Sequence, residues 1–197
     1  MNNTLKYYDM NAEKFVEGTV SVDFVATQNK FLDKLPVNAS ILDFGCGSGR
    51  DTKYFLDHGM NVEAIDGSKV LCKMASEYTG IEVKQMIFQE LDDIEKYDGI
   101  WACSSILHLS KFELLSVLKK MIVALKDNGI IYTSFKYGEF EGNRNDRYFT
   151  DFTIDSFKNF IKNVDNISIE EYWVTDDVRP GRETEKWLNL LLRKTNF

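Results

Sequence analysis

Ile41-Leu42-Asp43-Phe44-Gly45-Cys46-Gly47-Ser48-Gly49-Arg50-Asp51 is the stretch that decides the fold. Ile41 to Phe44 read as a short buried strand, the alternating glycines as a tight turn, and residues 50–58 as a helix ended by His58-Gly59. Glycine accepts positive φ and lets backbone approach a ligand closely, so a strand, a glycine-rich turn and a helix in succession predict a ligand-facing loop. A second strand, Val62 to Ile65, ends in Asp66-Gly67-Ser68, where Ser68 can cap a helix over 69–78. Asp66 falls 21 residues after Gly45, a position from which an acid accepts both hydroxyls of a ribose.

The same alternation runs outward in both directions. Upstream, Val22, Val25 and Phe31 share one face of a helix over 21–33 that Pro36 closes. Downstream, Ile81 to Met86 and Asp98 to Cys103 read as strands, and Ser110-Lys111-Phe112-Glu113 is a capping box opening a helix with Leu114, Leu115, Leu118 and Ile122 on its apolar side. Asp127-Asn128-Gly129 is a turn signal before the strand Ile130 to Phe135, a helix over 154–163 follows, and two strands, about 167–175 and 187–193, close the chain. Five strand-then-helix units and a final strand pair predict an α/β fold: an open, doubly wound, mostly parallel sheet with helices on both faces. Ligands of such sheets bind at the carboxyl ends of the strands, so the loops after Phe44, Ile65, Met86, Cys103 and Phe135 are the places for chemistry.

Composition bounds the rest. The chain of 197 residues, 44% hydrophobic, fits one domain, with residues 1–35 as a helical flap on a core of 36–197. A net charge of -7 disfavours nucleic acid, whose binders neutralise phosphates with a surplus of Lys and Arg. Cys46, Cys72 and Cys103 are widely spaced, which speaks against a disulfide framework and for a reducing, cytoplasmic setting, and with two distant histidines they make no metal-ligand set. The N-terminus is polar, and no run approaches the roughly 20 apolar residues of a membrane span. The expected partner is a small molecule, taken by a monomer or homodimer.

Two cofactor classes use a strand, a glycine turn and a downstream acid. A dinucleotide fold needs a third glycine at position 50, where this chain has Arg50. Asp43, two residues before the first glycine, suits an ammonium group and repels a pyrophosphate. The string ILDFGCGSGRD, with Asp66 in register, resembles the first motif of the class I S-adenosylmethionine-dependent methyltransferases. Tyr97-Asp98-Gly99-Ile100-Trp101-Ala102-Cys103-Ser104 with Leu107-His108-Leu109 resembles that family's fourth-strand motif, and Lys126 to Ile131 the turn into its fifth strand. The likeness runs from about Tyr7 to Lys194, and its nearest branch is the small tellurite-resistance-like group.

The resemblance implies a Rossmann-like sheet of seven strands with the last antiparallel, S-adenosyl-L-methionine as cofactor, S-adenosyl-L-homocysteine as product, and methyl transfer to a small molecule by in-line displacement. It places Gly45, Cys46, Gly47, Gly49 and Arg50 against the methionine end of the cofactor, with Asp43 toward its ammonium. Asp66, Gly67 and Ser68 fall to the ribose, Phe88 and Gln89 to the adenine, and Ala102 to the fourth-strand contact. Tyr8, Asn11 and Phe15 lie in a Tyr-x-x-x-Ala-x-x-Phe segment that forms a flap in the family. Two features depart from the pattern. The Asn/Asp-Pro-Pro-aromatic string of amino-methylating enzymes is replaced by Ala102-Cys103-Ser104-Ser105, and the usual acid ending the third strand by Ile87-Phe88.

His108 and Tyr148 are the candidate groups for deprotonating an acceptor. Lys136 to Phe149 reads as a charged lid or substrate loop in which Lys136, Arg144 and Arg147 can clamp a carboxylate or phosphate. Asp176 to Lys186, with Arg179 and Arg182, reads as a second charged loop at the surface. An RNA methyltransferase, an NAD-dependent oxidoreductase and a non-catalytic cofactor-binding subunit of a methyltransferase complex remain open alternatives.

Overall fold

The computed structural model describes residues 3–182 and 184–195. Helices α1 (Asn3–Met10), α2 (Ala12–Glu17) and α3 (Val25–Leu32) precede a core of β1 (Ser40–Phe44), α4 (Arg50–Asp57), β2 (Asn61–Asp66), α5 (Lys69–Thr79) and β3 (Val83–Gln85). There follow β4 (Tyr97–Ala102), α6 (Lys111–Ala124), β5 (Leu125–Lys136), β6 (Glu141–Arg144), β7 (Arg147–Thr150), α7 (Ile154–Ile161), β8 (Ile167–Asp176) and β9 (Lys186–Lys194). Seven strands form one sheet in the order β3-β2-β1-β4-β5-β9-β8, and β9, the last, runs antiparallel to both neighbours. Strand order reverses between β1 and β4, which pair in parallel through Ile41–Gly99, Leu42–Ile100 and Asp43–Trp101. That crevice is where an open α/β sheet takes its ligands.

The central strands are apolar on both faces because helices cover both. Ile41, Trp101, Tyr132 and Leu191 point one way, onto Phe31 of α3 and Phe55 of α4. Leu42, Ile100, Ile131 and Leu190 point the other way, onto Leu114 and Leu118 of α6 and Phe157 of α7. The amphipathic periods therefore convert directly into layers.

Four local readings change. The first core-facing helix begins at Val25 rather than 21, where the Asp23 carboxylate accepts the Val25 N–H at 3.0 Å. The third strand is followed by a single 3₁₀ turn, Phe88–Glu90, in place of a helix. Asp127-Asn128-Gly129 lies inside β5 as an irregularity: the register jumps from Tyr97–Leu125 to Gly99–Ile130, with Asn128 at φ 59°. The charged segment after β5 is a β-hairpin, β6–β7, instead of an open loop; Asn145 and Asp146 take positive φ at its tip, as its tight turn requires.

Candidate active site

A cavity of about 590 Å³ opens at the carboxyl ends of β1, β2, β4 and β5, within the range of small-molecule sites. Its floor is the glycine turn. Gly45 has φ +88°, and a Cβ there would stand 2.5 Å from Ser105 Cβ and 3.0 Å from the Phe88 ring, so nothing larger fits. Gly47 has φ +55° and lies under Phe15, whose ring would meet a Cβ at 3.0 Å. The Gly47 N–H donates to Asp66 Oδ2 at 3.0 Å and the Ser68 N–H to Asp66 Oδ1 at 2.8 Å. Each carboxylate oxygen thus keeps a lone pair beyond its backbone bond. Burial raises the Asp66 pKa, opposed by those two bonds. Asp66, 9% exposed, therefore gains by meeting hydroxyl donors in the cavity.

Above the floor, α1 and the hairpin meet over the cavity. The His108 Nδ1–H donates to the Tyr148 carbonyl at 2.6 Å, which leaves Nε2 unprotonated to accept the Tyr8 hydroxyl at 2.8 Å. The Tyr148 N–H donates to Thr4 Oγ1 at 3.0 Å. Burial pushes the His108 pKa down to about 4, so the ring is neutral at physiological pH. The Tyr8 pKa is raised, by burial above all, with Arg147 opposing.

Residues 41–129 match the family model described as a methyltransferase domain. The segment covers the glycine turn, Asp66 and the fourth-strand motif together. Over that segment the chain is similar to a methyltransferase domain. The fold is shared with the Burkholderia thailandensis 1,6-didemethyltoxoflavin N1-methyltransferase, crystallised with 1,6-didemethyltoxoflavin and S-adenosylhomocysteine (20% identity, 98% of this chain and 87% of that one, TM-score 0.76). A SAM-dependent methyltransferase of Methanosarcina mazei is similar too (14% identity, 84% and 97%, TM-score 0.73). So is the [4+2]-cyclase SpnF (12% identity, 98% and 95%, TM-score 0.74), which shows that this fold hosts more than one reaction. No curated protein matches the chain.

The fold brings Tyr8, Phe15, Gly45, Cys46, Gly47 and Arg50 to the cavity wall, together with Asp66, Gly67, Phe88, Gln89, His108, Lys136 and Arg147. Seven expected residues stand elsewhere. Asp43 is 2% exposed behind the turn and accepts the Thr52 hydroxyl at 2.5 Å. Burial first, and Asp51 next, raise its pKa, and Asp43 is not among the residues that line the cavity. Gly49 faces α5, where a Cβ would meet Thr79 at 2.8 Å and Ala75 at 3.2 Å; its role is helix packing. Ser68 caps α5 through Leu71 and donates to Asp9, and Ala102 is buried in β4. The Asn11 amide turns back to the Tyr7 carbonyl at 2.8 Å.

The remaining two belong to the hairpin. Tyr148 donates its hydroxyl to Glu141 at 3.1 Å and is not among the residues that line the cavity. Arg144 is held by both oxygens of Asp151, at 2.7 and 2.9 Å. His108 is in the wall, but its free nitrogen is already occupied by Tyr8, so it cannot reach an acceptor directly.

The segment after β8, read from the sequence as a charged surface loop, lines the cavity instead. Asp177 is 5% exposed and holds Arg179 through Nε at 2.9 Å and Trp187 Nε1 at 3.1 Å. Asp177, Arg179 and Trp187 all line the cavity. The signal was an Asp two residues before an Arg and ten before a Trp, which only the β8–β9 pairing makes meaningful. Phe24 was missed; the Arg50 guanidinium sits 4.6 Å from its ring centroid while pairing with Asp51 at 2.8 Å.

Proposed function

We propose that this chain transfers the methyl group of S-adenosylmethionine to a small-molecule acceptor in the cavity above the glycine turn. The observation that carries the reading is the union, in one cavity of about 590 Å³, of the Gly45–Gly47 floor, the Asp66 carboxylate and a roof of helix and hairpin. A cavity of that size under such a roof favours a small acceptor, and the net charge of -7 argues against RNA.

The residues fit the cofactor at three points. The turn leaves room for backbone contact that a Cβ would fill, Asp66 offers lone pairs for ribose hydroxyls, and Phe88, resting 4.7 Å from Phe44, offers a ring for the adenine with Gln89 at its edge. The cofactor supplies an already activated methyl group. The protein's work is then to align the acceptor, exclude water and handle a proton. An acceptor that carries a proton gives it to Tyr8 Oη as the phenolic proton moves to His108 Nε2. The Tyr148 carbonyl holds the imidazole in the tautomer this requires. Because His108 resists protonation, the route suits an acceptor whose proton leaves as the new bond forms.

The described part of the expected flap, residues 3–35, serves to cover this site, supported by the Tyr8–His108 and Thr4–Tyr148 bonds; residues 1 and 2 of that segment lie outside the described residues. Placement in the small tellurite-resistance-like branch is supported by a β5–α7 connection that carries only a short hairpin. Three unpaired cysteines support a cytoplasmic setting, and no helix among the described residues is long and apolar enough to cross a membrane.

Thermal melts with S-adenosylhomocysteine, S-adenosylmethionine and NAD test the reading. Ligand at 100 times its dissociation constant adds about 2.7 kcal/mol, a rise of roughly 5–11 °C for a chain this size. Stabilisation by the two sulfur ligands alone, followed by labelled methyl transfer in an acceptor screen, supports it. A response to NAD alone, or to none, overturns it.

A further inference from the structure

Five cationic side chains line the cavity: Arg50, Lys136, Arg147, Arg179 and Arg182. Four are paired, with Asp51, Glu185, Asp177 and Glu185 respectively. Arg147 makes no ion pair among the described residues, and its Nε is buried without a hydrogen-bond partner. Its guanidinium lies instead against rings, 4.4 Å from Tyr7, 5.1 Å from Phe149 and 5.8 Å from Tyr8. Arg147 also pairs across the hairpin with Arg144, a like-charge pairing that costs stability. Asp151 neutralises Arg144 only. An uncompensated, half-buried charge with an unsatisfied donor calls for an anion.

The backbone beside Arg147 is held in place for such a task. Tyr148 is clamped on both sides, its N–H by Thr4 and its carbonyl by His108. Arg144 Nη2, bonded to both oxygens of Asp151, ties the hairpin's strands to their base. We propose that Arg147 is the recognition residue for a carboxylate on the methyl acceptor, so that the acceptors are small carboxylic acids with an apolar body. This deepens the function proposed above and rests on it. One guanidinium fork matches one carboxylate, whereas a dianionic phosphate ordinarily draws further unpaired cations, and the other four are spent on acids. The apolar body follows from Phe15, Val22, Phe24, Phe149 and Trp187 on the same cavity wall.

The test measures benzoate and benzamide binding by calorimetry, with saturating S-adenosylhomocysteine and without it, to wild type, Arg147→Met and Arg147→Lys. A charge-assisted bond predicts that wild type prefers benzoate about tenfold or more. Arg147→Met should abolish the preference and leave S-adenosylhomocysteine affinity unchanged. Arg147→Lys keeps the charge but loses the fork, and should cut the preference at least about threefold. If Arg147→Met does not fold, Arg147→Lys decides. Equal binding of the two probes, no benzoate binding, or a preference that survives the substitutions overturns the proposal. Loss of S-adenosylhomocysteine affinity with benzoate preference intact also overturns it, by assigning Arg147 to the cofactor's own carboxylate. An Arg147-dependent benzoate preference in a protein that ignores S-adenosylhomocysteine would keep the anion subsite and remove the methyl-transfer reading instead.

Discussion

Asp66→Asn separates binding from stability at the residue on which the cofactor reading leans hardest. In the folded protein both Asp66 oxygens already accept backbone N–H groups, from Ser68 at 2.8 Å and Gly47 at 3.0 Å. The asparagine amide keeps one of these acceptors and turns its NH₂ toward the other donor, orphaning it at a cost of about 1–3 kcal/mol. Against that, the substitution removes a carboxylate whose pKa burial raises, and so removes a desolvation cost. The two effects oppose, and the melting temperature should move little. Binding has no such offset. A ribose hydroxyl that loses a charged acceptor loses about 1.5–3 kcal/mol, or about 10- to 150-fold in affinity. Calorimetric titration with S-adenosylhomocysteine reads this directly, alongside a melt showing that the variant is folded. A folded Asp66→Asn protein whose dissociation constant stays within about a factor of two of wild type refutes the ribose assignment.

Other residues give sharper or cheaper tests. Gly45→Ala sets a Cβ 2.5 Å from Ser105 Cβ at φ +88°, combining a backbone penalty of about 1–2 kcal/mol with overpacking of about 1–3 kcal/mol; chemical denaturation should show a loss of at least about 2 kcal/mol. Tyr8→Phe removes the only hydroxyl bonded to His108 Nε2 among the described residues, and should lower kcat about 10²-fold for protonated acceptors with little change in KM. His108 has a folded pKa of about 4, below its unfolded value, so its contribution is fully present above about pH 6.5 and is lost as pH falls toward 4, on the order of 3 kcal/mol in all. Denaturation of wild type and His108→Gln across that range should diverge by this amount, and parallel curves would show that the imidazole is not held neutral.

The local parts of this site were legible because local rules write them. Three glycines in alternate positions, a strand before and a helix after, specify a turn whatever surrounds it, and Asp66 follows from the spacing of one βαβ unit. Contacts across long sequence separations were not legible. Gly49 looks like Gly45 and Gly47 on paper, yet it serves the approach of α4 to α5, because Ala75 and Thr79 occupy the space its side chain would need. Asp43 sits where the family pattern puts an acid, but Thr52 and burial withdraw it from the cavity. Arg144 and Arg147 were interchangeable in the sequence until Asp151, seven residues after Arg144, took one of them and left the other.

The roof shows why such assignments need the third dimension. Its bonds join Tyr8 to His108, 100 residues apart, and Thr4 to Tyr148, 144 apart. Both pass through the backbone of Tyr148 or the ring that backbone orients. A histidine read as a candidate base is thereby tied to a tyrosine hydroxyl, and a segment read as a charged lid or substrate loop is a hairpin clamped to α1. Two hydrogen bonds and the Arg147–Tyr7 contact thus join α1 to the hairpin across the cavity, so the position of the Tyr8 hydroxyl depends on two segments that lie far apart in the sequence.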